Sequence, residues 1–328
     1  SSNWSDQGVV GGGVFVVPSD GGDARELSAS HVASASLLHW TDDSQRLVTA
    51  AHEQGGIGLA EIDVGSGRRT SLWSGEAVFA EPQRPQFSMD RDGNFAVVRE
   101  DGESPRDVWL ASPAATGLEW RRLTHLHPQA DELDIASTET VRWQGADGWE
   151  MQGLLLRPPG AATDERQPMV TVVHGGPASV HGHQYYAGRQ WFQLLATQGI
   201  VVFLPNPRGS TGWGLEFAES NIGDMGGKDW EDIQLGVDYC IAEGIADPDR
   251  LGIAGWSYGG FMTAWAVTQT ERFKAAMMGA GIADWRSFHG RSYLCDWDVI
   301  HYGDADPWDP DGTFKKFSPI TYIKNAKT

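Results

Sequence analysis

The sequence predicts two joined parts, an all-β N-terminal region followed by an α/β region built on a parallel sheet. Up to about residue 130, short apolar alternations of period two are broken by turns, and no stretch of helical period reaches helix length. From about residue 137, near-continuous apolar strands alternate with helical segments, the pattern of a parallel sheet covered on both faces. A length of 328 residues suits about two domains, divided here as 1–130 and 131–328.

In the first part, VFVV (14–17), the turn SDGG (19–22) and ARELS form a hairpin. LLHW (37–40), RLVTAA (46–51), IGLAEID (57–63) and RRTSLW (68–73) then make four short strands. PQFS (85–88), NFAVVRE (94–100), RDVWLAS (106–112) and WRRLT (120–124) make four more. Trp40 and Phe87 take matching places 47 residues apart. Four strands recurring at that period suggest β-propeller blades, with a β-sandwich as the competing arrangement. Read as blades, the chain holds two complete ones and the outer hairpin of a third, fewer than closure needs, so the propeller is expected to be incomplete.

In the second part, TVRWQ and GWEMQGLLLRP pair around the turn ADG. PMVTVV (168–173), IVVFLP (200–205), LGIAG (251–255) and FKAAMMGAG (273–281) are the apolar strands, with helices expected near 187–198, 229–243 and 259–269. Asp229 and Asp232 fall in the first turn of a helix, where they suit its dipole, and are read as structural.

The chemistry concentrates at LGIAGWSYGG (251–260). With 41 glycines in the chain, a G-x-S-x-G match arises by chance in about a third of such chains, so the flanks must carry the reading. LGIAG is a buried strand and GGFMTAWAVTQ a helix that starts at once. A sharp strand-to-helix turn needs small residues around the turning one, and the helix start aims free N–H groups at it. This is the α/β-hydrolase arrangement, in which the turn exposes a nucleophilic Ser257 above the sheet. Oxyanion stabilisation needs two donors: the N–H of Tyr258, and one from the loop HGGP (174–177), where Gly175 and Gly176 permit close approach. His174 precedes the serine, whereas the base comes last in this fold, so it is read as structural.

HGGPASVHGHQYYAGRQWF, NPRGSTGWGLEFAES and GWSYGG, in that order after a propeller-like region, resemble the prolyl oligopeptidase family of serine peptidases, most of all its acylaminoacyl-peptidase and dipeptidyl-peptidase-like bacterial members. The resemblance implies cleavage of short peptides near their N-terminus without a cofactor, with the propeller excluding folded proteins. It makes Ser257 the nucleophile and gives Tyr258 and Gly176 the oxyanion amides. It places Trp285, Phe288 and Trp297 in the pocket for the residue before the scissile bond, with plain core packing as their competing role. Relatives of this kind often assemble into homo-oligomers. An esterase or amidase on the same scaffold, and a non-catalytic binding protein, are the alternatives.

The chain departs from that pattern after the serine. The expected order is Ser, Asp, His, each partner following a further strand. His289 and His301 are the only later histidines, and neither they nor Asp284, Asp296, Asp298, Asp304 and Asp306 follow an apolar strand. The acids are read as loop and capping residues. The Asp and His are expected beyond residue 328, and the chain is read as a fragment with no working triad of its own. A formal charge of −19 opposes binding to nucleic acid or anionic membranes. The longest apolar runs fall short of a membrane span. Cys240 and Cys295 read as buried reduced thiols rather than a disulfide or metal site, which makes the cytoplasm the expected compartment. Glu53, in the turn HEQ, is read as a solvated carboxylate rather than an amine ligand.

Overall fold

The computed structural model describes residues 13–28, 31–81, 84–160, 165–188, 190–303 and 305–328. A small hairpin, β1 (Phe15–Val16) and β2 (Arg25–Glu26), precedes a four-stranded antiparallel sheet of β3 (Ser34–Trp40), β4 (Arg46–Glu53), β5 (Gly56–Asp63) and β6 (Arg69–Gly75) in simple sequential order. β4 and β5 pair over eight residues, from Arg46↔Asp63 to Glu53↔Gly56. The two-residue turn that joins them has φ of 49° at Gln54 and 82° at Gly55, the hairpin turn whose twist matches that of its strands.

A second sheet holds β7 (Val78–Glu81), β8 (Arg84–Pro85), β9 (Ser88–Met89), β10 (Phe95–Glu100), β11 (Asp107–Pro113) and β12 (Leu118–Arg122). Its order is β12-β11-β10-β7-β8, with β9 also on β10. The sequence shows β9 to β12 of this sheet and hides β7, while the expected strand PQFS (85–88) is split between the ends of β8 and β9. Val48, Ala50, Ile57 and Leu59 of the first sheet pack on Phe79, Phe95, Val97 and Ala111 of the second. Leu47 and Ile62, on the opposite face, pack on Val14 and Leu27. The first sheet is thus covered on both sides, which explains the near-continuous apolar run of β4. Neither sheet closes on itself among the described residues.

The α/β region carries one six-stranded sheet in the order β13-β14-β16-β15-β17-β18. Its strands are β13 (Ser137–Gln144), β14 (Glu150–Arg157), β15 (Gln167–Val173), β16 (Val201–Asn206), β17 (Ala246–Trp256) and β18 (Phe273–Gly279). β15 to β18 run parallel to one another, β14 pairs antiparallel with β16, and β13 and β14 form the expected antiparallel pair. Side chains alternate between two cores. Leu154 and Leu156 join Phe192 and Ala196 of helix α1 (Trp191–Thr197) on one face. Met151 and Leu155 face the other way, toward Ile233 and Val237 of α3 (Lys228–Ala242) and Phe261 and Met262 of α4 (Tyr258–Gln269). A short α2 (Leu215–Glu219) precedes α3, and α5 (Trp285–Arg291), α6 (Cys295–His301) and α7 (Thr313–Lys316) follow β18. These four short helices lack the length to show a period in the sequence.

Two expectations change. β18 reads as a buried apolar strand, yet Lys274 to Met278 are exposed, because β18 pairs only with β17 and its outer edge carries no described strand. Cys240 is buried as expected but Cys295 is only partly so, at the start of a surface helix; both are free thiols. The N-terminal sheets dock on the α/β region at defined points: Gln54 N–H donates to Gly212 O (2.9 Å) and Gly212 N–H to Ser34 Oγ (2.9 Å). The Thr140 hydroxyl donates to Glu76 (2.9 Å) and accepts from Nε2 of the buried His183 (2.8 Å). Glu53 sits near this seam, paired with Arg69 at 3.0 Å, so it is an ion-pair partner rather than a freely solvated carboxylate.

Candidate active site

Ser257 stands between β17 and α4 with φ 58° and ψ −117°, a backbone region that costs a non-glycine residue about 1–3 kcal/mol. Its surroundings hold it there. Its N–H donates to Gly279 O (2.9 Å), and its carbonyl accepts from Phe261 N–H (3.0 Å). The neighbouring glycines are required by contact. A Cβ on Gly255 would lie 2.3 Å from Gly259 O, one on Gly259 would lie 2.0 Å from Val173 O, and one on Gly260 would lie 2.3 Å from Gly279 O. The strand end, the helix start and the end of β15 are therefore packed backbone on backbone. Ser257 itself is exposed.

The HGGP loop lies against the serine from the end of β15. A Cβ on Gly175 would sit 3.3 Å from Ser257 Cβ and 3.2 Å from Trp256 O, and Gly176 has φ 126°, so the close approach needs glycine at both places. His174 is buried, and its surroundings lower its pKa to about 4, so the ring is neutral. Its Nδ1–H donates to Gly175 O (2.7 Å), and Nε2 lies 3.0 Å from the Ser210 hydroxyl. With both nitrogens engaged, His174 props the loop, as its sequence position predicts. His181 likewise turns Nε2 to Val172 O (3.0 Å), while its backbone is clamped by Asn206. Neither the Tyr258 nor the Gly176 N–H donates to a protein acceptor among the described residues.

Ser257, Gly175 and Gly176 open onto one cleft of about 990 Å³. Its apolar wall includes Trp191, Phe192, Trp256 and Met277, and its polar wall Ser179, Gln184 and Gln190; among the described residues no carboxylate lines it. Sequence reasoning missed this wall, although Trp256, 67% exposed, is flagged by standing immediately before Ser257. Trp285, Phe288 and Trp297 are not among the cleft's lining residues. Trp285 is fully buried, edge-on to Phe261 and Phe288 and stacked on Trp297. Phe288 borders a separate small recess with Ile282 and Arg291.

The later histidines also lie elsewhere. His289 Nδ1 pairs with the fully buried Asp298 at 2.9 Å against Trp308 and Phe314, and His301 stacks on Trp297. Asp284 caps α5 through the Arg286 N–H, as a capping residue should; Asp298 instead has a core partner, and Asp304 lies outside the described residues. Asp229 and Asp232 are fully buried, beyond a helix-dipole role. Asp232 accepts from Arg208 Nε (2.8 Å) and Ala146 N–H (2.8 Å).

The prolyl oligopeptidase family profile matches residues 187–328, which hold the serine turn, α3 and α4. An uncharacterized peptidase of Bacillus subtilis, YuxL, is 34% identical over 88% of this chain and 43% of its own length. Dipeptidyl-peptidase 5 of Porphyromonas gingivalis is 27% identical over 96% of this chain and 46% of its own. Among solved structures, Pyrococcus horikoshii acylaminoacyl peptidase superposes with a TM-score of 0.78 at 26% identity, covering 93% of this chain and 47% of that one. An acylaminoacyl peptidase complexed with Z-Gly-Gly-Phe-chloromethyl ketone gives 0.79 at 26% identity, covering 94% and 47%. The chain thus spans less than half the length of these relatives. Through residues 187–328 it belongs to the prolyl oligopeptidase family.

Proposed function

We propose that the protein is a serine peptidase that hydrolyses short peptides near their N-terminus through an acyl-enzyme on Ser257. The observation that carries this is the serine's strained, exposed position at the floor of a cleft, with Gly175 packed against it and Gly176 lining the same cleft. Ser257 Oγ attacks the scissile carbonyl and passes its proton to a histidine base. The tetrahedral oxyanion is held by the Tyr258 and Gly176 N–H groups. Collapse returns the proton to the departing amine, and water, activated by the same base, releases the acyl group. The histidine and its orienting aspartate come from outside these 328 residues on this reading, because the two histidines that line the cleft, His174 and His181, are buried and bonded to Gly175 O and Val172 O. The two N-terminal sheets are blades of a propeller that screens the cleft from folded chains. Trp256, Trp191 and Met277 supply apolar contact to the substrate, while Trp285, Phe288 and Trp297 take the competing packing role. Peptidase names among the relatives and the Z-Gly-Gly-Phe-chloromethyl ketone complex of one structural neighbour support a peptide substrate. No described helix is long and apolar enough to cross a membrane.

The test is fluorophosphonate labelling of the whole protein. Labelling should vanish in Ser257→Ala, and persistence would defeat the assignment. Peptide p-nitroanilides should turn over with higher kcat/KM than p-nitrophenyl esters of matched acyl groups; the reverse order would make it an esterase.

A further inference from the structure

Tyr258 supplies one oxyanion amide, yet its side chain points away from the cleft into the core, where it is 2% exposed. Its hydroxyl donates to Oδ2 of Asp229, a fully buried carboxylate at the start of α3. Oδ1 of Asp229 accepts from Gly226 N–H (2.9 Å) and Trp230 N–H (2.8 Å). Three donors thus converge on this one carboxylate, and only Tyr258 comes from the nucleophile turn. The turn at Gly226 (φ 89°) leans on α4, where a Cβ would lie 3.1 Å from Phe261 and 3.4 Å from Trp265. Helix α3 is itself fixed one turn later by Asp232, through Arg208 and Ala146. Arg208 belongs to the loop whose Ser210 meets His174 at the base of the HGGP loop. Both oxyanion amides are therefore referred to one rigid helix, by Asp229 on one side and Asp232 on the other.

We infer that Asp229 is a positioning residue: through the Tyr258 hydroxyl it sets where the Tyr258 N–H points, and so the strength of the oxyanion site. This deepens the serine-peptidase reading and rests on it. Oδ1 is already satisfied by the two backbone N–H groups of its own helix start, so Tyr258 is the donor that ties this carboxylate to the serine turn.

The test compares wild type, Asp229→Asn, Tyr258→Phe and the double variant of the whole protein on a peptide p-nitroanilide, with active sites titrated by fluorophosphonate. Deleting an oxyanion donor costs about 10²–10³ in kcat, so tilting one should cost about tenfold. Each single variant should lose about tenfold in kcat with KM within twofold. The double variant should lose no more than either single, because one hydrogen bond is removed each time. A peptidyl boronate, which forms a tetrahedral adduct, should bind about tenfold more weakly to each. A purely structural role would lower the melting temperature and leave kcat per titrated site unchanged, and that result overturns the inference; so do additive losses in the double variant. If Asp229→Asn does not fold, Tyr258→Phe decides alone, since it removes one hydroxyl. Ser257→Ala separates the two readings: if it keeps turnover, both fall, whereas wild-type kcat in Tyr258→Phe with a dead Ser257→Ala sinks only this one.

Discussion

Gly259→Ala isolates the contact on which the site depends. A Cβ at 259 would stand 2.0 Å from Val173 O and 2.9 Å from His174 O. Ordinary contact begins at 3.4 Å, so the shortfall against Val173 is about 1.4 Å, and neither acceptor is the tip of a side chain that could swing aside. β15 cannot retreat alone, because it pairs with β16 on one side and with β17 on the other, where Val173 faces Gly255. The start of α4 must lift instead, carrying Ser257 and Tyr258 with it. Overpacking of this kind costs about 1–3 kcal/mol, against about 1 kcal/mol gained from alanine's helix propensity. A displacement near 1 Å at a reacting group costs about 10²-fold in rate. The expected result is a net loss of up to about 2 kcal/mol in urea unfolding and a fluorophosphonate labelling rate about 100-fold slower. Gly252→Ala on β17 is the control. Its Cβ would meet the Val170 methyl at 3.3 Å and Ala275 O at 3.5 Å, so stability should stay within about 1 kcal/mol and labelling within about threefold. Labelling of Gly259→Ala at the control's rate would refute the claim that backbone contact sets the serine's position.

Arg208→Met leaves Asp232 buried without its guanidinium and should lose about 3–5 kcal/mol by chemical denaturation; a loss below about 1 kcal/mol would show that the backbone donors suffice. Arg99 lies 4.9 to 5.7 Å from the ring centres of Trp73, Trp109 and Trp120, so Arg99→Ala should cost about 2 kcal/mol and shift tryptophan emission, and unchanged emission would contradict the packing. Burial raises Asp229 to a pKa of about 7, against the hydrogen bonds from Tyr258, Gly226 and Trp230, which lower it. The unfolded carboxyl titrates near 4, so between about pH 4 and 7 the folded state holds the extra proton, and this contribution to stability falls as pH rises and then levels off. The wild-type minus Asp229→Asn stability difference should therefore slope by about one proton across that window, and a flat difference would exclude a raised carboxyl there.

What was legible in the sequence is what repeats or what crowds. The period-two runs of β3 to β6 and the apolar strands β15 to β17 each bury a predictable face, so local pattern placed them. Gly255, Gly259 and Gly260 could be read because a tight strand-to-helix turn permits nothing larger. Asp229 was legible as a helix-start acid, but its bond to Tyr258 joins residues 29 apart, and no local pattern reports whether a carboxylate at a helix start faces water or core. The aromatic segment after β18 stayed open between pocket and core for the same reason. Trp285 carries the composition of a binding pocket and the burial of a core residue, and an indole looks alike in either role until its neighbours Phe261 and Trp297 are placed. His289 and Asp298 show the limit from the other side: nine residues apart, they form a carboxylate–imidazole pair of catalytic appearance, yet neither lines the serine's cleft. Residue type identifies chemistry that is possible; at this site, where Ser257 is fixed by backbone packing and Tyr258 by a buried hydrogen bond, only three-dimensional placement separates the groups that face the cleft from those that hold it in shape.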